Sequence, residues 1–154
     1  MKFKDVEKIN EIQELTHQCN QHLLALWAAE CVEHVIKYYK IYYPTDYRVF
    51  DAINVAKGYA TGQVSVIEAR RVASDASKAA KEAEVDNNLV ASSVARAACQ
   101  AASTAHVRTN ALSASTSSVK AKAYSKGGDI TVVQKEREWQ YNRLVALRKA
   151  SNQN

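Results

Sequence analysis

The hydrophobic positions of this chain recur every three to four residues almost from end to end. Val6, Ile9, Ile12 and Leu15 open the series, with lysine and glutamate on the opposite side. That period places apolar groups on one face of an α-helix. The longest stretch that reads as alternating, "ITVV" at 130–133, is too short to argue for a strand. Stop signals at "NQ" 20, "YPTD" 43, "TGQVS" 61, "VDNN" 85, "RTN" 108 and "SKGGD" 125 divide the chain into about seven segments. The fold class expected is an all-α bundle in one domain covering 1–154. An N-terminal helix lies within 1–20, and a C-terminal helix over 129–150 follows a Gly-Gly linker.

Local chemistry sharpens the boundaries. Asn20 caps a second helix over roughly 21–42, which stops before Pro44 because the residue preceding proline is pushed out of the α region. Thr45 or Asp46 is the expected cap of the third, which closes on Gly62 as a left-handed residue past the helix end. Ser65 and Glu68 have the capping-box spacing. The next two segments are alanine-rich at helical spacing, with Ala69, Ala73, Ala76 and Ala80 in one and Val94, Ala98, Ala101 and Ala105 in the other. The sixth, over 110–125, is serine-rich and a weaker helix former. In the last, Asp129 caps, and Arg137 interrupts the stripe of Val133, Gln140 and Leu144. That interruption places the C-terminal helix at an edge, or at an interface where two copies form a homo-oligomer.

Composition narrows the class of protein. A chain of 154 residues with 47% hydrophobic and 24% charged residues folds as an ordinary globular domain. The N-terminus mixes charges from its second residue, and no run reaches the length of a membrane span. Cys19, Cys31 and Cys99 show no CxxC spacing and read as free thiols in a reducing compartment. No membrane association and a cytoplasmic location are expected. The net charge is +5, unevenly placed: residues 1–30 carry three lysines against five acids, and residues 87–154 carry ten basic groups against three acidic. The basic groups are sparse and lack interleaved aromatics, so a solvated helical face is expected and nucleic acid is not the expected partner.

One segment concentrates candidate chemistry. "LALWAAECVEHVIKYY" holds Trp27, Glu30, Cys31, Glu33 and His34. On a helix, Cys31 lies roughly 40° from Trp27 and His34 roughly 20° to its other side, a single apolar stripe. A thiol there is desolvated and reads as core, not as a nucleophile. Cys31, His34, Cys99 and His106 have no metal-ligand spacing, so neither a metal nor another cofactor is expected. Glu30 lies in i,i+4 reach of His34. Arg70, Arg71 and Arg96 sit among alanines, and an inward arginine beside Glu30 would anchor an anion or a carboxylate. No phosphate-cradling loop, GxSxG or HExxH is present, and no enzymatic activity is expected.

Taken together, "LALWAAECVEHV", "DYRVFDAINVAKGYATGQVSVIEARRVASDASKAA", "VARAACQAASTAHV" and "EREWQ…RLVAL" resemble a family of small helical bacterial immunity proteins of polymorphic toxin systems. The resemblance covers roughly 22–147. It is carried by Trp27, Ala28, Ala29 and Cys31, by Arg48 and Gly62, by Ala69 and Arg70, by Ala105 and His106, and by Trp139. Glu30 stands where the family pattern has Asp, and Tyr59 where it has Trp. The resemblance implies a cytoplasmic protein that binds and neutralises a cognate toxin without chemistry of its own. The runner-up is a helical domain that binds a ligand or nucleic acid. Candidate contact residues are Glu30, His34, Arg48, Arg70 and His106, with Trp27, Cys31, Ala69 and Ala105 as structural core. The charge distribution implies a target that is not a strongly basic nuclease, or contact through the N-terminal thirty residues.

Overall fold

The computed structural model describes residues 3–152, which form eight helices and, among those residues, no strand. They are α1 (Lys8–Thr16), α2 (Gln21–Glu33), α3 (Lys37–Lys40), α4 (Arg48–Ala60), α5 (Val66–Val85), α6 (Leu89–Ser103), α7 (Asn110–Ser125) and α8 (Ile130–Asn152). The all-helical class read from the periodicity holds, with one helix more than the seven segments expected.

The extra helix comes from a break inside the second segment. α2 ends at Glu33, and the chain then tightens into i→i+3 bonding, with Val35 N–H donating to Val32 O at 3.0 Å and Tyr38 N–H to Val35 O at 3.0 Å. The β-branched pair Val35–Ile36 weakens helix there. The tighter turn also re-aims the chain so that Val35 and Tyr39 are buried. Periodicity does not see this bend, because its cause lies in what the side chains meet.

Alanine explains the packing of the middle of the molecule. α5 lies along α6 and α6 along α7, through faces that include Ala76 and Ala83 on α5, Ala95, Ala98 and Ala102 on α6, and Ala114 and Ala121 on α7. Small side chains let helix axes approach toward the short end of the usual range. α4 rests on α5 and α6, α2 lies against α4, α6, α7 and α8, and α1 packs on α8. Trp27 is fully buried on α2, and its indole Nε1–H donates to Gln140 O of α8 at 2.9 Å.

The helix ends are stitched by side chains. Asn20 accepts from Leu23 N–H and Ser65 from Glu68 N–H. The return half of that capping box is diverted, since the Glu68 carboxylate takes Arg71 instead. Tyr47, not Thr45 or Asp46, occupies the N-cap of α4, and Asp46 accepts the Arg48 N–H from one position earlier. Arg108 donates to the carbonyls of Thr16 and Cys19, and Gln21 to those of Thr104 and Ala105, which supplies partners to carbonyls that helix ends leave free. Gly62 takes φ +78° past the end of α4, where a side chain would be strained. The serines of α7 bond back into their own helix: Ser118 Oγ–H to Ala114 O at 2.8 Å, Ser115 Oγ–H to Leu112 O at 2.7 Å.

Arg137 is fully buried within this chain. Asp5 accepts from its Nε at 3.0 Å and its Nη2 at 2.5 Å, while Ser115, Thr116 and Gln140 take its remaining protons. The interruption in the apolar stripe of α8 is therefore filled from inside the molecule, and the residue does not mark an outer edge.

Candidate functional site

The five residues singled out as contacts fall in three separate places. Glu30 and His34 share α2 but turn to different partners on α8, not to each other. Glu30 accepts both arms of a fork from Arg143, each at 2.8 Å. His34 Nδ1 lies 2.6 Å from a buried Glu136 oxygen, its ring is stacked on Trp139 at 3.8 Å between centroids, and Lys122 donates to the other Glu136 oxygen at 2.8 Å. Arg70 is not beside Glu30: its Nη2 is 3.0 Å from His106 Nε2, near the other end of α5 and α6. The Glu30 and His34 contacts tie α2 and α7 to α8, and the Arg70–His106 contact joins α5 to the turn after α6. None of the recesses described below is lined by these four residues.

Chemistry at the thiols is suppressed. Cys31 is fully buried, and desolvation, reinforced by the Glu136 charge, pushes its thiol well above the usual range. Burial also raises Cys19 and Cys99. A protonated, enclosed thiol is a poor nucleophile and a poor metal ligand. No group of three or more histidine, cysteine, aspartate or glutamate side chains with metal-binding geometry occurs among the described residues.

Arg48 is different, because it sits within an exposed and structured corner. Its guanidinium grips Asp46 through Nε at 3.0 Å and Nη2 at 2.7 Å, and also contacts Glu82 of α5. Tyr39 O–H donates to the same Asp46 carboxylate at 2.8 Å. The Arg48 fork holds Asp46 down at about 2, and the paired carboxylates hold Arg48 firmly protonated. Nearby, Tyr43 O–H donates to Asp86 at 2.6 Å, and this bond pushes the phenol up to about 12. These contacts lock α3, the Pro44 turn and the start of α4 to the end of α5.

On that rigid base stand unburied apolar side chains. Of the ten large exposed hydrophobics among the described residues, six lie here: Ile41, Tyr42, Tyr47 and Phe50 on the α3–α4 corner, Val85 and Leu89 at the α5–α6 turn. Tyr47, Phe50, Asp51 and Asn54 form the crest of α4 by i,i+3 and i,i+4 spacing. On one side of the crest is a hollow of about 140 Å³ lined by Ile36, Tyr39, Pro44, Val49 and Phe50. On the other is a cleft of about 340 Å³ between α4 and α5, walled by Arg48, Asp51, Glu68, Arg71 and Asp75. A third, shallower recess lies between Tyr42, the 86–90 segment and Tyr124. Preorganised aromatic surface of this kind is what protein interfaces use as anchors.

Of the residues at this corner, only Arg48 was legible as a contact. The signal for the rest was "IYYPTDYRVF", in which four exposed apolar groups flank a proline turn that has no core to bury them. Periodicity alone reads the same letters as a helix end and a helix start.

Comparison with known proteins gives one family. A family model described as "Imm-5 like putative immunity protein" matches residues 14–147. No curated protein and no solved structure matches the chain.

Proposed function

Since the chain belongs to the Imm-5-like family of immunity proteins, we propose that it binds and neutralises a cognate toxin in the cytoplasm and performs no chemistry of its own. The observation that carries this reading, beside the family, is the aromatic corner: six large apolar side chains held exposed on a base fixed by ion pairs and hydrogen bonds. A surface already ordered before contact loses little conformational freedom on binding. The buried, protonated thiols and the dispersal of the polar candidates over three places favour recognition over catalysis. No helix among the described residues is long and apolar enough to cross a membrane.

The test is capture from the native cell lysate at low and at high salt with this chain as bait, followed by co-expression with a captured protein that is toxic alone. Growth restored by this chain, together with a stable complex of the two purified proteins, is the expected result. Failure to protect and failure to bind would overturn the proposal. The runner-up, a helical domain that binds a small ligand or nucleic acid, draws on the α4–α5 cleft, whose volume falls at the low end of ligand sites. Its walls carry charges that are already engaged, Arg71 with Glu68 and Asp75, and Arg48 with Asp46 outside the cleft. Nucleic-acid binding through the basic C-terminal half would show a steep fall in affinity with salt.

A further inference from the structure

Five of the eight arginines of this chain are held by a carboxylate among the described residues: Arg48 by Asp46 and Glu82, Arg71 by Glu68, Arg96 by Glu84, Arg137 by Asp5 and Arg143 by Glu30. The other three, Arg70, Arg108 and Arg148, gather at one end of the bundle, where α5 begins, α6 turns into α7, and α1 and α8 finish. Arg70 Nη2 donates to His106 Nε2, and a ring nitrogen that accepts brings no countercharge. Arg108 spends its Nη2 on the carbonyls of Thr16 and Cys19, which are dipoles and not charges. Arg148 stands close enough for its charge, like that of Arg108, to act on the Cys19 thiol, and its Nε is enclosed with no acceptor among the described residues. The segments that build this end, 14–23, 58–75, 103–113 and 145–152, carry five basic groups against three carboxylates. Glu68 and Asp75 both turn to Arg71, which leaves Glu14 alone against Arg70, Arg108, Arg148 and Lys149.

This cationic end is also apolar at its centre. Val66, Ile67 and Val107 are 37%, 82% and 42% exposed. Arg70 lies one helical turn on from Val66 and Ile67, and its partner His106 precedes Val107 and Arg108, so the six side chains form one patch. We infer that this patch is a second interaction surface, and that its occupant is an acidic protein segment in which carboxylates flank an aliphatic side chain. The inference goes beyond the immunity reading and does not rest on it, since Ile67 is about 27 Å by helical rise from Val85 at the aromatic corner. Ile67 supplies the apolar contact, and Arg70 and Arg108 keep most of their N–H donors free in the planar fork that matches a carboxylate. Arginine beside apolar surface is a combination that protein interfaces favour. The charge of +5 on the whole chain steers an acidic partner toward it. Nucleic acid fits less well, because the patch has no tyrosine, tryptophan or phenylalanine on which a base could stack.

The probe is a short synthetic peptide of glutamate and aspartate around a central leucine, titrated into the isotope-labelled full chain and followed by backbone amide shifts. Saturable shifts at the six patch residues are expected, with none from the peptide that carries lysine at every acidic position. Arg70→Glu with Ile67→Ser should weaken the acidic peptide about tenfold or more, by a margin that shrinks as salt rises. Both side chains are exposed, so this variant should keep the parent's thermal unfolding. Arg108→Gln, which retains a donor for the Thr16 and Cys19 carbonyls, should weaken the peptide less. Lys135→Glu is the control: it reverses a charge at an exposed place about 20 Å back along α8 from Arg148 and should leave affinity unchanged. Shifts that fall elsewhere, affinity untouched by Arg70→Glu with Ile67→Ser, equal binding of the lysine peptide, or no binding at all each overturn this surface. Inorganic phosphate that produces the same shifts at the same concentration, or duplex DNA that displaces the peptide, overturns the choice of a protein occupant. A parent that sediments as a dimer and becomes monomeric with Ile67→Ser points to a second copy of this chain and overturns that choice as well. The immunity reading is tested separately, by protection from the toxin, and stands or falls apart from these outcomes.

Discussion

Asp46 shows how one residue can organise a surface without being its contact. It receives Tyr39 O–H, Arg48 N–H and the Arg48 guanidinium, and its pKa falls to about 2 from the ordinary 3.8, chiefly through the Arg48 fork. The folded carboxyl thus titrates below the unfolded one. Its contribution is fully present above about 3.8 and is lost as pH falls through that value toward about 2. The group is partly open to solvent, so the amount is about 1 kcal/mol. Urea midpoints measured from pH 5 to pH 2 should show this loss, and Arg48→Met should remove the Asp46 part of it. An unchanged acid limb in Arg48→Met would contradict the pairing. Arg48 itself was legible in the sequence as a contact candidate. Its partners Asp46 and Glu82, and the Tyr39 that also donates to Asp46, were not, because they lie two, thirty-four and nine positions from Arg48 with no shared period.

At the level of elements, caps and glycines were the most readable features and tertiary contacts the least. Asn20, Ser65 and Gly62 act where the sequence places them, since each needs only its own local backbone. The α2–α3 break was missed because His34 is held by Glu136 and Trp139, about a hundred residues on. Gly58 is a sharper case. It is helical inside α4, where alanine would ordinarily add about 1 kcal/mol of stability. A Cβ at this position would collide with the β-branched Val64 side chain, folded back against the helix from the α4–α5 turn. Gly58→Ala should therefore destabilise the protein, by about 1 to 3 kcal/mol as overpacking does. A stabilised variant in thermal melts would show that Val64 moves freely. Restoring stability with Val64→Ala in the Gly58→Ala background would confirm the contact.

Across the whole molecule, stability hinges on few large side chains, because much of the core is alanine. Trp27 is fully buried and joins α2 to α8 through Gln140 O, so its removal opens a cavity that the neighbouring Ala28 and Ala29 cannot fill. Trp27→Ala should cost about 3 to 5 kcal/mol in chemical denaturation, a large share of the 5 to 15 kcal/mol typical of a domain. A variant as stable as its parent would contradict this account of the core.

The sequence by itself determined the helical class, most helix boundaries, the alanine faces that pack α5, α6 and α7, and the family. Each of these depends on spacing within one segment, and a helix repeats its own geometry every few residues. Only the tertiary structure decided which polar groups meet. It turned Glu30 to Arg143 and His34 to Glu136, and it put Arg137 inside with Asp5. It also gathered Ile41, Tyr42, Tyr47, Phe50, Val85 and Leu89 into one exposed apolar corner from segments more than thirty residues apart. Charge and exposure belong to faces, and a face draws its members from turns far apart in the chain.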